Sequence, residues 1–235
     1  MNKIKDFHLK QFSIIGGHSG MAVSTDAILL GAWANLLSAN TILDIGTGTG
    51  LLALMSAQRN QTSIIQAIDI DSDAINSAKI NVKNSPWADR ITVEKNDVTQ
   101  QKNDKQYDHI ICNPPYFNSG EVSQWQARAN ARHTLTLGHN QLLTACQSLL
   151  SAQGEASFIL PKEEGRTFIE RAKSLGWFVS RLCEINTTVN KQSYRMLIAL
   201  TRYPVNTEHT QLTIHQDGHY SQAFIELTQD FYLKM

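Results

Sequence analysis

The chain has little that would commit it to an unusual environment. Its three cysteines, Cys112, Cys146 and Cys183, stand far apart in apolar runs. An odd, scattered set supports neither a disulfide framework nor a zinc site, so buried free thiols are expected. No stretch comes near the ~18 consecutive apolar residues of a membrane-spanning helix. The opening "MNKIKDFHLKQF" has no apolar core with a small-residue cleavage site, so no signal peptide is expected. An excess of one charge is missing too: 21 Lys plus Arg balance 21 Asp plus Glu. A globally polybasic surface is thereby excluded, and a nucleic acid would have to be met by a local patch. His18, His139 and His209 share no ligand spacing, so no metal is assigned. Repeats and linkers are also lacking. The expectation is a single cytoplasmic domain.

What is present is an alternation of short β-branched runs with helical patterns. Strands are expected at "TILDI", "SIIQAIDI", "ITVEKND", "YDHIICN", residues 155–160, "WFVSRLCEI" and "RMLIALTR". Helices are expected at about 25–37, capped by Ser24 or Thr25, then at "LLALMSAQ", 140–150 and 162–175. "SDAINSAKINVKNS" reads as a further helix with Ser72 as N-cap and Ile75, Ala78 and Val82 on one face. The tail, 205–235, reads as irregular and then helical. Strands separated by helices imply an α/β, doubly wound, mostly parallel seven-stranded sheet covered on both faces. The last two strands lack a helix between them, which suits antiparallel pairing.

Chemistry concentrates at the ends of these strands. "LDIGTGTGLLAL" follows the first strand and opens a helix, with Gly46, Gly48 and Gly50 allowing a tight turn and close approach of a ligand. Asp44 lies two residues before the first of them. A carboxylate there repels a pyrophosphate and suits a ligand with a positive amino group. Asp69 closes the second strand where a ribose-binding acid belongs, and Asp97 ends the third, where it can accept from an adenine amino group. The fourth strand runs into "NPPYF". Pro114 and Pro115 stop the ladder and stiffen the backbone. The Asn113 amide oxygen and the Pro114 carbonyl then form two fixed acceptors for an exocyclic NH2 or a side-chain amide. Holding both N–H groups aims the nitrogen lone pair and stabilises positive charge growing on nitrogen. Tyr116 can stack on a planar group.

These motifs resemble the class I S-adenosylmethionine-dependent methyltransferases over about residues 40–203. The resemblance implies a Rossmann-like methyltransferase fold and S-adenosyl-L-methionine as cofactor. Its Asn-Pro-Pro-Tyr tetrad is shared by enzymes acting on adenine N6, guanine N2 and protein glutamine. "TDAILLGAW" at Thr25 to Trp33, "FSIIGGHSG" before it and "YSQAFIELTQDFYL" near the C-terminus are similar to the bacterial tRNA(Val) adenine-N6 methyltransferase family. That resemblance implies tRNA as partner and methylation of the adenine next to the anticodon. It also implies that residues 1–40 cover the cofactor, with Thr25 and Asp26 contributing.

The expected cofactor contacts are thus Thr25, Asp26, Asp44, Gly46, Gly48, Gly50, Asp69, Asp97 and Asn113. Asn113, Pro114 and Tyr116 are the expected catalytic group. Pro115, Tyr116, Phe117, Trp125, Arg128 and Arg132 are the expected substrate contacts. The last three lie in a locally basic loop, at about 117–138, that is expected to order around a flipped-out adenine. Lys162, Arg166, Arg171 and Lys173 offer a second basic face, diluted by Glu163, Glu164 and Glu170. Methylation of guanine N2 or of a protein glutamine is the alternative activity. A non-catalytic adenosine-binding, RNA-binding module is the alternative outside enzymology. A monomer is expected.

Overall fold

The computed structural model describes residues 6–15, 23–101, 105–115, 138–191 and 193–234. A short hairpin, β1 (Phe7–His8) and β2 (Ser13–Ile14), precedes helix α1 (Thr25–Trp33). The central elements follow as β3 (Thr41–Ile45), α2 (Leu51–Arg59), β4 (Ile64–Asp69), α3 (Ser72–Lys83), β5 (Ile91–Lys95) and β6 (Tyr107–Cys112). Then come α4 (His139–Leu149), β7 (Leu150–Pro161), α5 (Lys162–Ser174), β8 (Phe178–Thr188), β9 (Arg195–Thr201), β10 (Glu208–Gln216), β11 (His219–Tyr220) and α6 (Gln222–Thr228).

Nine strands, in the order β11-β10-β8-β9-β7-β6-β3-β4-β5, form one sheet. The expected seven are its contiguous core. The count is corrected by β10 and β11, which arise from the tail read as irregular and extend the β8 edge. Leu212 and Ile214 supply the buried face of β10, and the turn into β11 uses Asp217 and Gly218 at positive φ, 51° and 81°. Pairing is parallel except where β9 meets β7 and β8, and where β11 meets β10. The connection between β8 and β9 is too short for a crossover, so antiparallel pairing results, as expected.

Both faces of the sheet are covered. One apolar cluster joins α1, α2, Val82 of α3, and Phe224 of α6 to Ile42, Ile65 and Ile111. The other joins α4 and α5, through Leu142, Leu149 and Phe168, to Leu43, Ile110, Phe158 and Ile198. The central strands therefore read as continuous apolar runs, because their two faces are equally dry.

Local chemistry moves two expected boundaries. Helix α1 stops at Trp33, short of 37, and the Arg59 guanidinium donates to the carbonyl of Gly31 at its end (3.0 Å). Its N-cap is Ser24, whose hydroxyl accepts from Ala27 N–H. The N-cap of α3 is Asp71 in place of Ser72. The Asp71 carboxylate accepts from Asp73 N–H at 2.7 Å, while the Ser72 hydroxyl takes the Lys95 ammonium.

Candidate active site at the strand ends

The centre of the site follows from register. Ile45 of β3 pairs with Ile68 of β4 and with Cys112 of β6. Gly46, Asp69 and Asn113 therefore leave three adjacent strands side by side at their C-terminal ends. At ~4.8 Å per strand, the outer two are on the order of 10 Å apart. The chain continues from β3 through β4 to β5 on one side and then crosses to β6 on the other. That reversal opens a crevice where ligands bind in open α/β sheets.

The glycine turn is fixed by four of its backbone N–H groups. Gly46 and Thr47 N–H both donate to the Ile68 carbonyl, at 2.9 and 3.0 Å. Gly48 N–H donates to Asp69 Oδ2 at 2.9 Å. Gly50 N–H donates to the Thr47 carbonyl at 2.8 Å. Gly50 also caps α2 with φ of 86° and lies so close to α3 that an added Cβ would touch Ala78 Cα at 3.4 Å. Gly46, with φ of 70°, has open space where its Cβ would be.

Asp44 is fully buried. Its Oδ2 accepts from the Thr47 hydroxyl (2.6 Å) and from Ala53 N–H (3.0 Å), which ties the strand end to α2. Its Oδ1 is buried with no hydrogen-bond partner. Burial raises its pKa to about 7 against those two hydrogen bonds, and nearby Asp69 adds to the rise. A buried acid with one unsatisfied oxygen holds a proton or needs a cation.

Asp69 is also pushed up, chiefly by burial. Its two oxygens accept from Gly48 and Asp71 N–H, and each carboxylate oxygen has a further lone pair to offer. Asp97 lies two residues beyond β5. Its Oδ1 accepts from the Thr99 N–H and hydroxyl, at 2.9 and 2.8 Å, so one oxygen caps a short 3-10 turn.

Beyond β6, Asn113 is half-buried, Pro114 is buried and Pro115 is exposed. Tyr116, Phe117, Trp125, Arg128 and Arg132 lie outside the described residues. Thr25 and Asp26 form the first turn of α1. The Asp26 carboxylate accepts from Arg195 Nε at 2.7 Å, and the Tyr232 hydroxyl is hydrogen-bonded to the Thr25 side chain. Both residues are thus anchored to β9 and to the C-terminal segment. Lys162 of the second basic face pairs with Glu184 at 3.2 Å, and Arg166 pairs with Glu163 at 3.2 Å.

This geometry has relatives. Residues 22–159 match the methyltransferase small domain family. A tRNA1(Val) (adenine(37)-N6)-methyltransferase of Vibrio campbellii is 51% identical over 231 residues, covering 98% of this chain and 97% of that protein. The chain belongs to this methyltransferase family. A Vibrio cholerae member is 50% identical, covering 98% of this chain and 96% of its own length. Among solved structures, an Agrobacterium tumefaciens protein named as a predicted O-methyltransferase superposes with a TM-score of 0.68. It is 19% identical and covers 88% of this chain and 96% of its own. A TehB-like SAM-dependent methyltransferase from Corynebacterium glutamicum gives a TM-score of 0.51 at 19% identity, covering 79% and 91%. At those identities the structures speak to the fold alone: an α/β, mostly parallel, Rossmann-like methyltransferase sheet.

S-Adenosylmethionine, the donor of this family, fits the residues present. The unsatisfied Asp44 oxygen suits its ammonium, and the open space at Gly46 leaves room beside the turn. Two side chains were not assigned their structural roles at the site from sequence. Asn81 of α3 bonds to the glycine turn, and its signal was a polar residue among Ile75, Ala78 and Val82 on the apolar face. Arg195 is separated from Asp26 by 169 positions, and no local pattern announces their pairing.

Proposed function

We propose that this protein methylates the exocyclic N6 of adenine 37 in tRNA1(Val), as its relatives' names state, with S-adenosylmethionine as donor. The observation that carries the reading is the rung of Gly46, Asp69 and Asn113, which sets an acceptor motif next to a donor site within a family of that activity. When bound, the donor supplies an electrophilic methyl group on a sulfonium.

The chain's residues prepare the rest. Asp44 offers a buried carboxylate to the ammonium, and Asp69 offers its remaining lone pairs to the ribose hydroxyls. Asp97 offers its second oxygen to the adenine amino group, while the backbone around Gly46, Gly48 and Gly50 forms the floor. On the acceptor side, Asn113 Oδ1 and the Pro114 carbonyl accept the two N6 hydrogens of the target adenine. That orientation turns the nitrogen lone pair toward the methyl group, and orientation alone is worth several powers of ten in rate. As the carbon–nitrogen bond forms, the methyl–sulfur bond would break with its electron pair left on sulfur, positive charge would pass to N6, and the same two oxygens would stabilise it. The proton leaves N6 afterwards, so no base is needed in the transfer step.

Tyr116 is the residue assigned to stack on the base, Pro115 and Phe117 are assigned as further substrate contacts, and Trp125, Arg128 and Arg132 are assigned to the RNA. Thr25 and Asp26 support the residues that cover the donor. The chain acts as one catalytic unit, a cytoplasmic monomer, with residues 1–40 as the covering extension and 204–235 as its tail. Among the described residues, no helix is long and apolar enough to cross a membrane.

The test is incubation with labelled donor and unmodified tRNA1(Val) transcript, followed by nucleoside mass spectrometry. N6-methyladenosine that disappears when adenine 37 is replaced is the expected result. Methylguanosine, or label confined to protein, would overturn the substrate assignment.

A further inference from the structure

Asn81 lies on α3, 1% exposed, and no chemistry of methyl transfer calls for it. Its side chain bridges two segments far apart in sequence. Asn81 Nδ2 donates to the Thr49 carbonyl inside the glycine turn at 2.9 Å, and Oδ1 accepts from Ile15 N–H just after β2 at 2.9 Å. The peptide between Thr49 and Gly50 is therefore held at both ends, its carbonyl by Asn81 and its N–H by the Thr47 carbonyl. Ala78, one turn before Asn81, closes the other side of Gly50. A buried amide with both ends satisfied is rigid, since losing either bond leaves a polar group without water.

We propose that Asn81 is a positioning residue that locks the Thr49–Gly50 peptide in its ligand-ready orientation and couples the end of the N-terminal hairpin to the donor site. The proposal rests on the donor-site reading above. It goes beyond that reading by assigning a side chain that does not touch the donor. The coupling follows from the shared amide: a donor that steadies the turn steadies Asn81, and through it Ile15.

Asn81→Asp separates the two bonds. The carboxylate still accepts from Ile15 N–H, but it cannot donate to Thr49 and repels that carbonyl. The expected result is an S-adenosylhomocysteine Kd raised about tenfold by calorimetry. Turnover at saturating donor should stay within about twofold of wild type. A Kd within twofold of wild type would overturn the positioning role. A turnover loss with unchanged Kd would do the same. Asp69→Ala, run in parallel, keeps the two readings apart. If it too leaves donor affinity unchanged, the donor-site reading has failed; if it weakens binding while Asn81→Asp does not, only the Asn81 proposal has failed. A second measurement uses the wild-type chain, so it does not depend on the variant folding. Saturating S-adenosylhomocysteine should slow hydrogen exchange at the Ile15 amide, read by NMR, along with residues 46–51. Protection of 46–51 with unchanged exchange at Ile15 would overturn the coupling.

Discussion

The sheet's two halves meet between β3 and β6 and are held by different means. On the donor side, β3, β4 and β5 are all parallel, and their end residues are tied down by backbone bonds: Asp44 to Ala53, Asp69 to Gly48 and Asp71, Asp97 to Thr99. On the acceptor side, β9 runs antiparallel to both its neighbours and the tethers are charged side chains: Arg195 to Asp26, Arg181 to Glu155, Lys162 to Glu184. A small ligand bound the same way each time suits a site fixed by short local bonds. In the function proposed above, a large acceptor is met at Asn113 and Pro114, where rigidity comes from proline and packing. Variants on the donor side should therefore change binding, and those at Asn113 should change turnover.

The largest expected effect is at Asn113. Asn113→Ala removes an acceptor whose value appears mainly in the transition state, so turnover should fall about 10²- to 10³-fold. Donor affinity should stay near wild type. Single-turnover rates with saturating donor, beside calorimetry with S-adenosylhomocysteine, read the two quantities. A loss of affinity with unchanged rate would erase the contrast between the halves.

Asp69→Ala should do the reverse. It removes the charge-assisted hydrogen bonds proposed to the ribose and orphans the Gly48 N–H, so donor Kd should rise more than tenfold by calorimetry. Turnover at saturating donor should change much less.

Asp44 sharpens the comparison through pH. Its folded pKa, raised to about 7 from 3.8 by burial, means that the ligand-free fold holds a proton that the unfolded chain gives up. Its contribution to stability is fully present below the unfolded value and is lost as pH rises through about 7. Binding an ammonium lowers this pKa, so donor binding should release a proton and tighten as pH rises toward 7, by up to about tenfold per unit. Calorimetry at pH 6 in buffers of different ionisation enthalpy counts the proton. Asp44→Asn should remove the release; an unchanged count would place the proton elsewhere.

The same contrast governs what the sequence discloses. The donor half is legible because its parts are contiguous: strand, glycine turn and helix run from Thr41 to Arg59, and Asp44, Asp69 and Asp97 each lie within two residues of the C-terminal end of a strand. Asn113 stands out in the sequence for the same reason, since it directly follows β6. The acceptor half depends on pairs far apart, such as Asp26 with Arg195, which only the folded sheet brings together. Counting cations misleads for a related reason. Arg90 donates to the carbonyls of Ala57, Asn60 and Ser63, so it supports the fold and is not displayed to RNA. The β10–β11 hairpin was passed over because four of the first residues of β10 are exposed and polar. Its readable mark was Asp217-Gly218, a dipeptide that favours tight hairpin turns.

The smallest effects separate the two kinds of ion pair on the acceptor side. Asp26 and Arg195 have side chains only 11% and 23% exposed, and the Arg195 guanidinium also stacks on the Tyr194 ring at 4.9 Å. Arg195→Ala removes the charge partner of a mostly buried carboxylate at the start of α1, and partial solvent access limits the cost to about 1–3 kcal/mol. Glu163 and Arg166 are 81% and 55% exposed, one turn apart on α5. Water screens that pair and both side chains lose freedom to form it, so Arg166→Ala should change stability by less than about 0.5 kcal/mol. Urea denaturation of the two variants at equal ionic strength gives the comparison directly. Raising the salt should leave the Arg195→Ala penalty largely intact and remove what little Arg166 contributes. Equal penalties would mean that burial does not set the strength of these tethers, and the account of how the acceptor side is held would fall with it.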